Sequence, residues 1–571
     1  ENIVEYSKFS YKSFKVGKSF SRLKLKARNK YSTKELEIIC SDVSPELSFE
    51  ITEKYRKNVA CKRSAILLKS LQPIEEVMRA NRKSDTNDFQ QEYWLDKQGA
   101  VFGNDDNSIT IYHTPGISSL QFDTESNLLV INLDYEKDHP FLHFPLRNDT
   151  TDYKLDWSES IYKRRDKKMN KFKIFVGVDG SSLPRFLKNP EGYLATYIWT
   201  EHADFSNIRT NRATYFGSEN THKAENSRGG FIYYNIPVTK SVFYNNPDQI
   251  TNTEISGGKF TGLESTIVTD TAFHDFLKQI DKHGIEICLH TPEQYTTTRE
   301  QLEAALEFTH REFGSKTWID HGYNNLKKNN REDFMCDGLL TKSPFYAANL
   351  WKKFGVNYFW NAYYEDYFTF EKWRFESFLE PYFSGFGDFM PKPEYWMHPT
   401  RSNEFIHWPT STVLYVENDA LWEYFFSSRN LNTFVDSWSV EMNHCYPAWV
   451  DPKKGFWTYD MDSAIVAQPG FNRTLERMAH LKKEKKLNVT TVKDFLNYQL
   501  LLENIEYQLL QDGRIIITNN SDQDINGLSF ATKAKFVLID RLMPAQKTSA
   551  NDLVFWFDLD AGSSRVIRIV K

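Results

Sequence analysis

The sequence predicts an α/β fold: a (β/α) barrel flanked by N-terminal and C-terminal β-rich domains. Three observations carry this. Residues from about 172 to 450 alternate between short apolar strands and amphipathic helices, the signature of a parallel sheet. Residues 1–155 show only short apolar or alternating runs between polar turns, and residues 505–571 do the same. At 571 residues the chain exceeds one simple core, since cores stop growing beyond ~250–300 residues. The expected domains are therefore 1–155, 156–504 and 505–571.

In the first domain the strand candidates are Arg22–Ala27, Glu35–Cys40, Leu47–Thr52 and Asn127–Leu133, with breakers at Asn104–Asn107 and Asn148–Thr150. They suit a sandwich-like accessory domain. The basic run Tyr162–Lys173 reads as a solvated linker face. In the middle of the chain, Phe172–Val178, Leu194–Trp199, Phe231–Pro237 and Val238–Tyr244 are strand candidates. Thr271–Lys282 places Phe273, Phe276, Leu277 and Ile280 on one helical face and stops at Gly284. Ile285–Leu289 is a short strand. Thr297 or Thr298 then opens a helix, with Glu300 or Gln301 completing a capping box. Thr317–Ile319, Val356–Trp360 and Trp438–Met442 continue the strands; Phe345–Phe354 and Leu421–Phe434 continue the helices. Asn472–Leu487 and Val492–Asn504 are further helices. Arg514–Thr518, Phe536–Ile539, Val554–Leu559 and Arg565–Val570 make a small antiparallel domain.

Composition narrows the function. A net charge of −5 gives no default affinity for nucleic acid. Of the 43 Phe, 30 Tyr and 14 Trp, a large core absorbs many, and Tyr and Trp also form the platforms on which sugar rings stack. Five scattered cysteines form no Cys-x-x-Cys pair, so neither a zinc ribbon nor a disulfide scaffold is expected. No run of about 18 apolar residues is present to span a membrane. A signal peptide is either absent or already removed.

The chemistry-bearing residues follow strand ends. Leu194–Trp199 runs into Glu201, His202 and Asp204; Ile285–Leu289 delivers His290; Thr317–Ile319 delivers Asp320 and His321; Trp438–Met442 leads to His444. Parallel strands release such residues on one face of the fold, where ligands bind. Imidazoles with carboxylates form the ligand set of a divalent metal such as zinc. Trp360, Tyr363, Tyr364 and Trp373 follow a later strand and are candidate walls of a sugar cleft.

These segments resemble a divergent NodB-type polysaccharide deacetylase, of carbohydrate esterase family 4, over roughly residues 190–450. His202-Ala203-Asp204 stands where the family's Asp motif is expected. Tyr234–Phe243 is similar to its second strand, and Gly284-Ile285-Glu286-Ile287-Cys288-Leu289-His290-Thr291 to its second motif. Trp318–Gly322 occupies the third-motif slot, and Val440–His444 the late strand with its His. Two family positions differ: Phe205 follows Asp204 where a second Asp is usual, and Gln294 replaces a second His. The resemblance implies a barrel hydrolase that removes acetyl groups from a polysaccharide, is secreted or periplasmic, and uses a divalent metal, with zinc the first expectation. Its shell would be rebuilt from His202, Asp204, His290 and His321. Asp204, Glu201 or Asp320 would serve as base, and His444 would protonate the leaving group. Two alternatives stand beside this reading. One is a glycoside hydrolase pairing Glu365 or Asp366 with Glu441; the other is a non-catalytic glycan-binding protein.

Overall fold

The computed structural model describes residues 5–59, 61, 64–71, 73–74, 76–79, 84–85, 92–96, 98–103, 108–134, 162–294, 297–321, 338, 341, 346–361, 366–367, 381–383, 389–391, 394–397, 405–410, 412–414, 421–451 and 455–570.

The central unit is a nearly closed parallel sheet. Its strands are β1 (Ala195–Glu201), β2 (Thr239–Val242), β3 (Glu286–Leu289), β4 (Thr317–Trp318), β5 (Tyr358–Asn361), β6 (Ile406–Pro409), β7 (Thr412–Leu414) and β8 (Val440–Cys445). Each of β1 to β5 pairs in parallel with the next, β7 pairs with β8, and β8 returns to β1. β6 and β7 lie two residues apart in the chain and act as the two halves of one staggered barrel position. Pro409 marks the break, because proline has no N–H to continue the ladder.

A ninth strand, β9 (Leu487–Thr490), lies along the N-terminal half of β1, while β2 takes the C-terminal end of the same edge. The surrounding helices include α1 (Ile208–Phe216), α2 (Thr271–Asp281), α3 (Arg299–Phe313), α4 (Ala348–Lys353), α5 (Ser428–Ser437), α6 (Pro469–Lys483) and α7 (Val492–Leu502). The α3 capping box uses Thr298 and Gln301.

Successive side chains of a strand point to opposite faces, and this alternation sorts the barrel. Ile198, Cys288, Ile319, Trp360, Trp408 and Met442 meet in the interior, with Val492, Phe495 and Leu496 of α7 closing its floor. Their neighbours Tyr197, Trp199, Ile287 and Cys445 pack outward against helices, as do Leu289, Trp318 and Phe359.

Before the barrel, nine described strands form one sheet that faces a four-stranded one across a core built on Phe49, Ile51, Phe122 and Phe172. The basic run is not a linker. Lys167–Val176 forms a strand in that sheet, paired with Glu46–Tyr55, and Lys171 and Lys173 meet Glu50 and Glu46 across it. Alternation explains the misreading: lysines face water on every second position, while Phe172 and Ile174 enter the core. After the barrel, residues 505–570 form antiparallel strands in two four-stranded sheets, one of which takes Arg185–Phe186 as an edge. Phe231–Pro237, expected as a strand, instead begins in a helical turn over Gly230–Tyr233. Gly230 has φ +71°, a conformation only glycine takes freely, and Phe231 tucks against Trp199 and Tyr215.

Candidate metal centre

The inward alternation continues past the strand ends and fixes which groups meet. Ile198 points inward, and so does His202 four residues on; Cys288 leads to His290, Ile319 to His321, and Met442 to His444. The four imidazoles converge at the C-terminal mouth of the barrel. His290 and His321 lie 4.9 Å apart between ring centroids, and His202 and His290 5.1 Å apart. His202 stacks on His444 at 3.4 Å and 19°. Trp360 stands edge-on to both, and Tyr446 borders the pair.

Asp204 lies at the centre of this group. His290 Nε2 is 3.1 Å from its Oδ2, and His321 Nε2 is 2.7 Å from its Oδ1. The other nitrogen of each ring is engaged by backbone: His290 Nδ1 donates to Ile319 O at 3.0 Å and His321 Nδ1 to Gln294 O at 2.9 Å. A carbonyl oxygen only accepts, so both Nδ1 atoms carry hydrogen. A neutral imidazole then has only a lone pair at Nε2, and both lone pairs face carboxylate oxygens. Such an arrangement fits a cation between the groups. For His290 a proton is a poor candidate, because burial pulls its pKa down to about 4 despite the attraction of Asp204. The Asp204 carboxyl lies well below its ordinary range only through positive charge beside it, burial pulling the other way, and a metal ion at this place supplies charge of the same sign.

A divalent metal fits the donors. Ligand atoms of His202, Asp204 and His290 lie within 4.8 Å of one another, a spread that closes on an ion with bonds of about 2 Å. His202 Nε2 is buried and has no hydrogen-bond partner among the described residues. Burial, then His444 and His290, hold its pKa well below the ordinary value, which leaves its lone pair free. Carbonyl anchors on Nδ1 are the usual way a metal-binding imidazole is oriented. Asp204 is the member open to solvent, its side chain 15% exposed against 1% and 8% for His290 and His321.

The loop that presents Asp204 is under constraint. Phe205 has φ +45°, costly for a residue with a Cβ. Glu264 stabilises the turn by accepting the Phe205 N–H. Burial, with the Asp204 charge beside it, pushes the Glu264 carboxyl well above its ordinary range. Glu264 is absent from the sequence expectations, because it lies in a loop about sixty residues downstream with no pattern around it.

No family model matches the chain, and no curated protein matches it. Among solved structures it is similar to a GH36 alpha-galactosidase, AgaA of Geobacillus stearothermophilus, in complex with 1-deoxygalactonojirimycin. The identity is 6%, the TM-score 0.26, and the overlay covers 99% of this chain and 88% of that one. At that score the two chains are not shown to share a fold.

Several expected site residues lie elsewhere. Glu201 is one step out of phase with His202 and points into the helix layer. There its Oε1 takes Lys240 Nζ at 2.5 Å and its Oε2 accepts the Tyr215 hydroxyl, so it is not available as a base. Asp320, buried between Ile319 and His321, falls on the same outward phase. Glu441 alternates with the inward Val440 and Met442, and its charge acts on Tyr197 in the helix layer. That removes it from a glycosidase pair at the mouth. Trp360 is inward but 2% exposed, with Nε1 donating to Thr410 Oγ1 at 3.1 Å. It supports the imidazoles rather than offering a face to a sugar. Tyr363, Tyr364, Glu365 and Trp373 lie outside the described residues. Asp366 is described only as backbone, paired with Thr412.

Proposed function

We propose that the protein is a metal-dependent hydrolase that removes acyl groups, acetyl above all, from a polysaccharide or glycan, in the manner of the NodB-type deacetylases its motifs resemble. The observation that carries this reading is the pair of Nε2 lone pairs aimed at one carboxylate. Asp204, His290 and His321 would hold the ion, with His202 Nε2 within reach. Zinc suits such a donor set. When bound, the ion would lower the pKa of a coordinated water and polarise the acyl oxygen.

The protein's own contribution is proton handling. Glu201 and Asp320 are turned away, so the stacked His202–His444 pair supplies the acid–base groups at the mouth. Stacked at 3.4 Å, His202 and His444 are the groups at the mouth placed to take a proton from water and to give one to the leaving group. The Gln294 carbonyl keeps His321 in place at the position where the family usually has a second ligand. A polymeric substrate makes secretion the matching location.

The test is acetate release from a panel of acetylated oligosaccharides, with metal content measured on the same sample. Chelation should stop release and a divalent ion restore it. A glycosidase would keep cleaving its chain in chelator, and a binding protein would retain glycan without releasing acetate. Either result would overturn this reading.

A further inference from the structure

Beside the metal centre, the barrel mouth carries three further aromatic rings that neither bind the ion nor handle protons. Tyr446 follows His444 by two residues, and its ring lies 4.9 Å from that imidazole and 5.6 Å from His202. Trp449 meets Tyr446 edge-on at 4.9 Å, and Phe205 meets Trp449 at 5.5 Å. A row of touching rings thus runs from the His202–His444 pair to the residue that follows Asp204. All three are half-buried, as Asp204 is, so each keeps part of its surface open to solvent. Trp360, at the same mouth, does not.

The row is built before a ligand arrives. Val450 donates its N–H to the Phe205 carbonyl at 3.1 Å, Ser206 and Trp449 pair as an antiparallel bridge, and Trp457 Nε1 donates to the Trp449 carbonyl at 2.8 Å. These bonds tie the loop after β1, with Asp204 and Phe205, to the loop after β8, with Tyr446 and Trp449. Phe205 holds its place at φ +45°. Strain of this kind survives where the surroundings over-determine it, and it gathers at ligand sites.

A ligand at this wall must be polar at its rim, to lie beside imidazoles and a carboxylate, and apolar on a face, to lie on aromatic rings. A pyranose with mostly equatorial hydroxyls is both, since its faces are C–H groups. An apolar acyl chain fits the place less well. Tyr446 touches the two imidazoles that serve the leaving group, and the leaving group departs with the sugar.

We propose that Phe205, Tyr446 and Trp449 form a stacking wall for the pyranose ring whose acyl group is removed. This inference rests on the hydrolase reading given above and adds the residues that receive the sugar.

The experiment uses the full-length, metal-loaded protein and its Trp449→Ala and Trp449→Phe variants. Acetylated xylo-oligosaccharide and N-acetylglucosamine pentamer serve as substrates, their deacetylated counterparts as unreactive ligands, and sodium hexanoate as an acyl probe. Calorimetric Kd, KM, kcat for acetate release and metal content are read together with saturation-transfer NMR, in which protein aromatic protons are irradiated. In the wild type, transfer should be strongest to the C–H protons of one sugar-ring face. Trp449→Ala should raise Kd and KM about tenfold, with kcat changing less than KM and metal content unchanged. Trp449→Phe should recover part of the loss. Unaltered Kd and KM in Trp449→Ala while acetate is still released, or transfer to hexanoate and to no sugar proton, would overturn the wall and leave the hydrolase reading standing. Loss of metal in Trp449→Ala would also overturn it, showing a structural role. The wild-type transfer decides the matter even where a variant fails to fold. If the wild type neither binds nor deacetylates any probe, the hydrolase reading itself fails and the wall goes with it.

Discussion

Two carboxylates lie three residues apart in this chain and meet opposite fates. Glu201 faces the helix layer, where Lys240 supplies a full opposite charge at 2.5 Å and Tyr215 a hydroxyl. Asp204 faces the barrel mouth, where its partners are two imidazoles whose hydrogens are already committed to backbone carbonyls. The first cluster pairs a full charge with its opposite; the second turns two Nε2 atoms toward one carboxylate, a donor set that a cation would fit. The difference comes from phase on the strand, and it separates a group that holds the fold together from one that can do chemistry.

Replacing members of each cluster sharpens the contrast. The largest effect should come from His290→Ala or Asp204→Asn, which are expected to lose the bound ion and all acetate release while the protein stays folded. Elemental analysis and a melting curve on the same sample check this, and a variant that kept stoichiometric metal would break the comparison. Glu201→Gln should do the reverse. It strands the Lys240 ammonium, which burial already holds below its ordinary pKa, and should cost about 3–5 kcal/mol in denaturant unfolding. The folded fraction should still carry its metal. The double change Glu201→Leu with Lys240→Met should recover much of that stability, because an apolar pair of similar volume removes both charges.

A smaller effect is expected at Glu293. Its carboxyl has a higher pKa folded, about 7, than unfolded, near 4.5. Below the unfolded value both states are protonated and nothing is lost. As pH rises through the folded value the unfolded state gains the advantage of ionising, and stability falls. Glu293→Gln should therefore raise Tm by roughly 2 °C at pH 8, with the gain vanishing below about pH 4.5. A gain that is largest in acid would contradict this assignment. Smallest of all is Gln294→Ala. Only the backbone carbonyl of Gln294 holds His321, so metal content should match wild type, whereas His321→Ala should reduce it.

The histidines were readable from the sequence because each follows an apolar strand by a fixed step. Reading which acids join them needed one further move. Counting by twos from Ile198, Ile319 and Met442 selects His202, His321 and His444, and rejects Glu201, Asp320 and Glu441 without any coordinates. The alternating lysines of 167–173 carry the same signal, with Phe172 marking the inward phase. Other features were not written locally. Glu264 and Glu293 belong to loops whose position depends on where the barrel brings distant turns together. The partition of the β6–β7 position depends on two halves choosing different neighbours. Phe231–Pro237 has strand-forming residues, but Gly229 and Gly230 bend the chain before it can pair.

The floor of the barrel has a consequence for biosynthesis. β9 completes the lower edge of β1, and α7 begins by giving the Val492 N–H to Thr239 Oγ1 and the Lys493 N–H to Glu286 Oε2. Residues made nearly three hundred positions after β1 thus finish the base on which it stands. A nascent chain cannot finish the base of its central ring until those residues have left the ribosome, and until then its greasy inner row stays uncovered and open to mispairing.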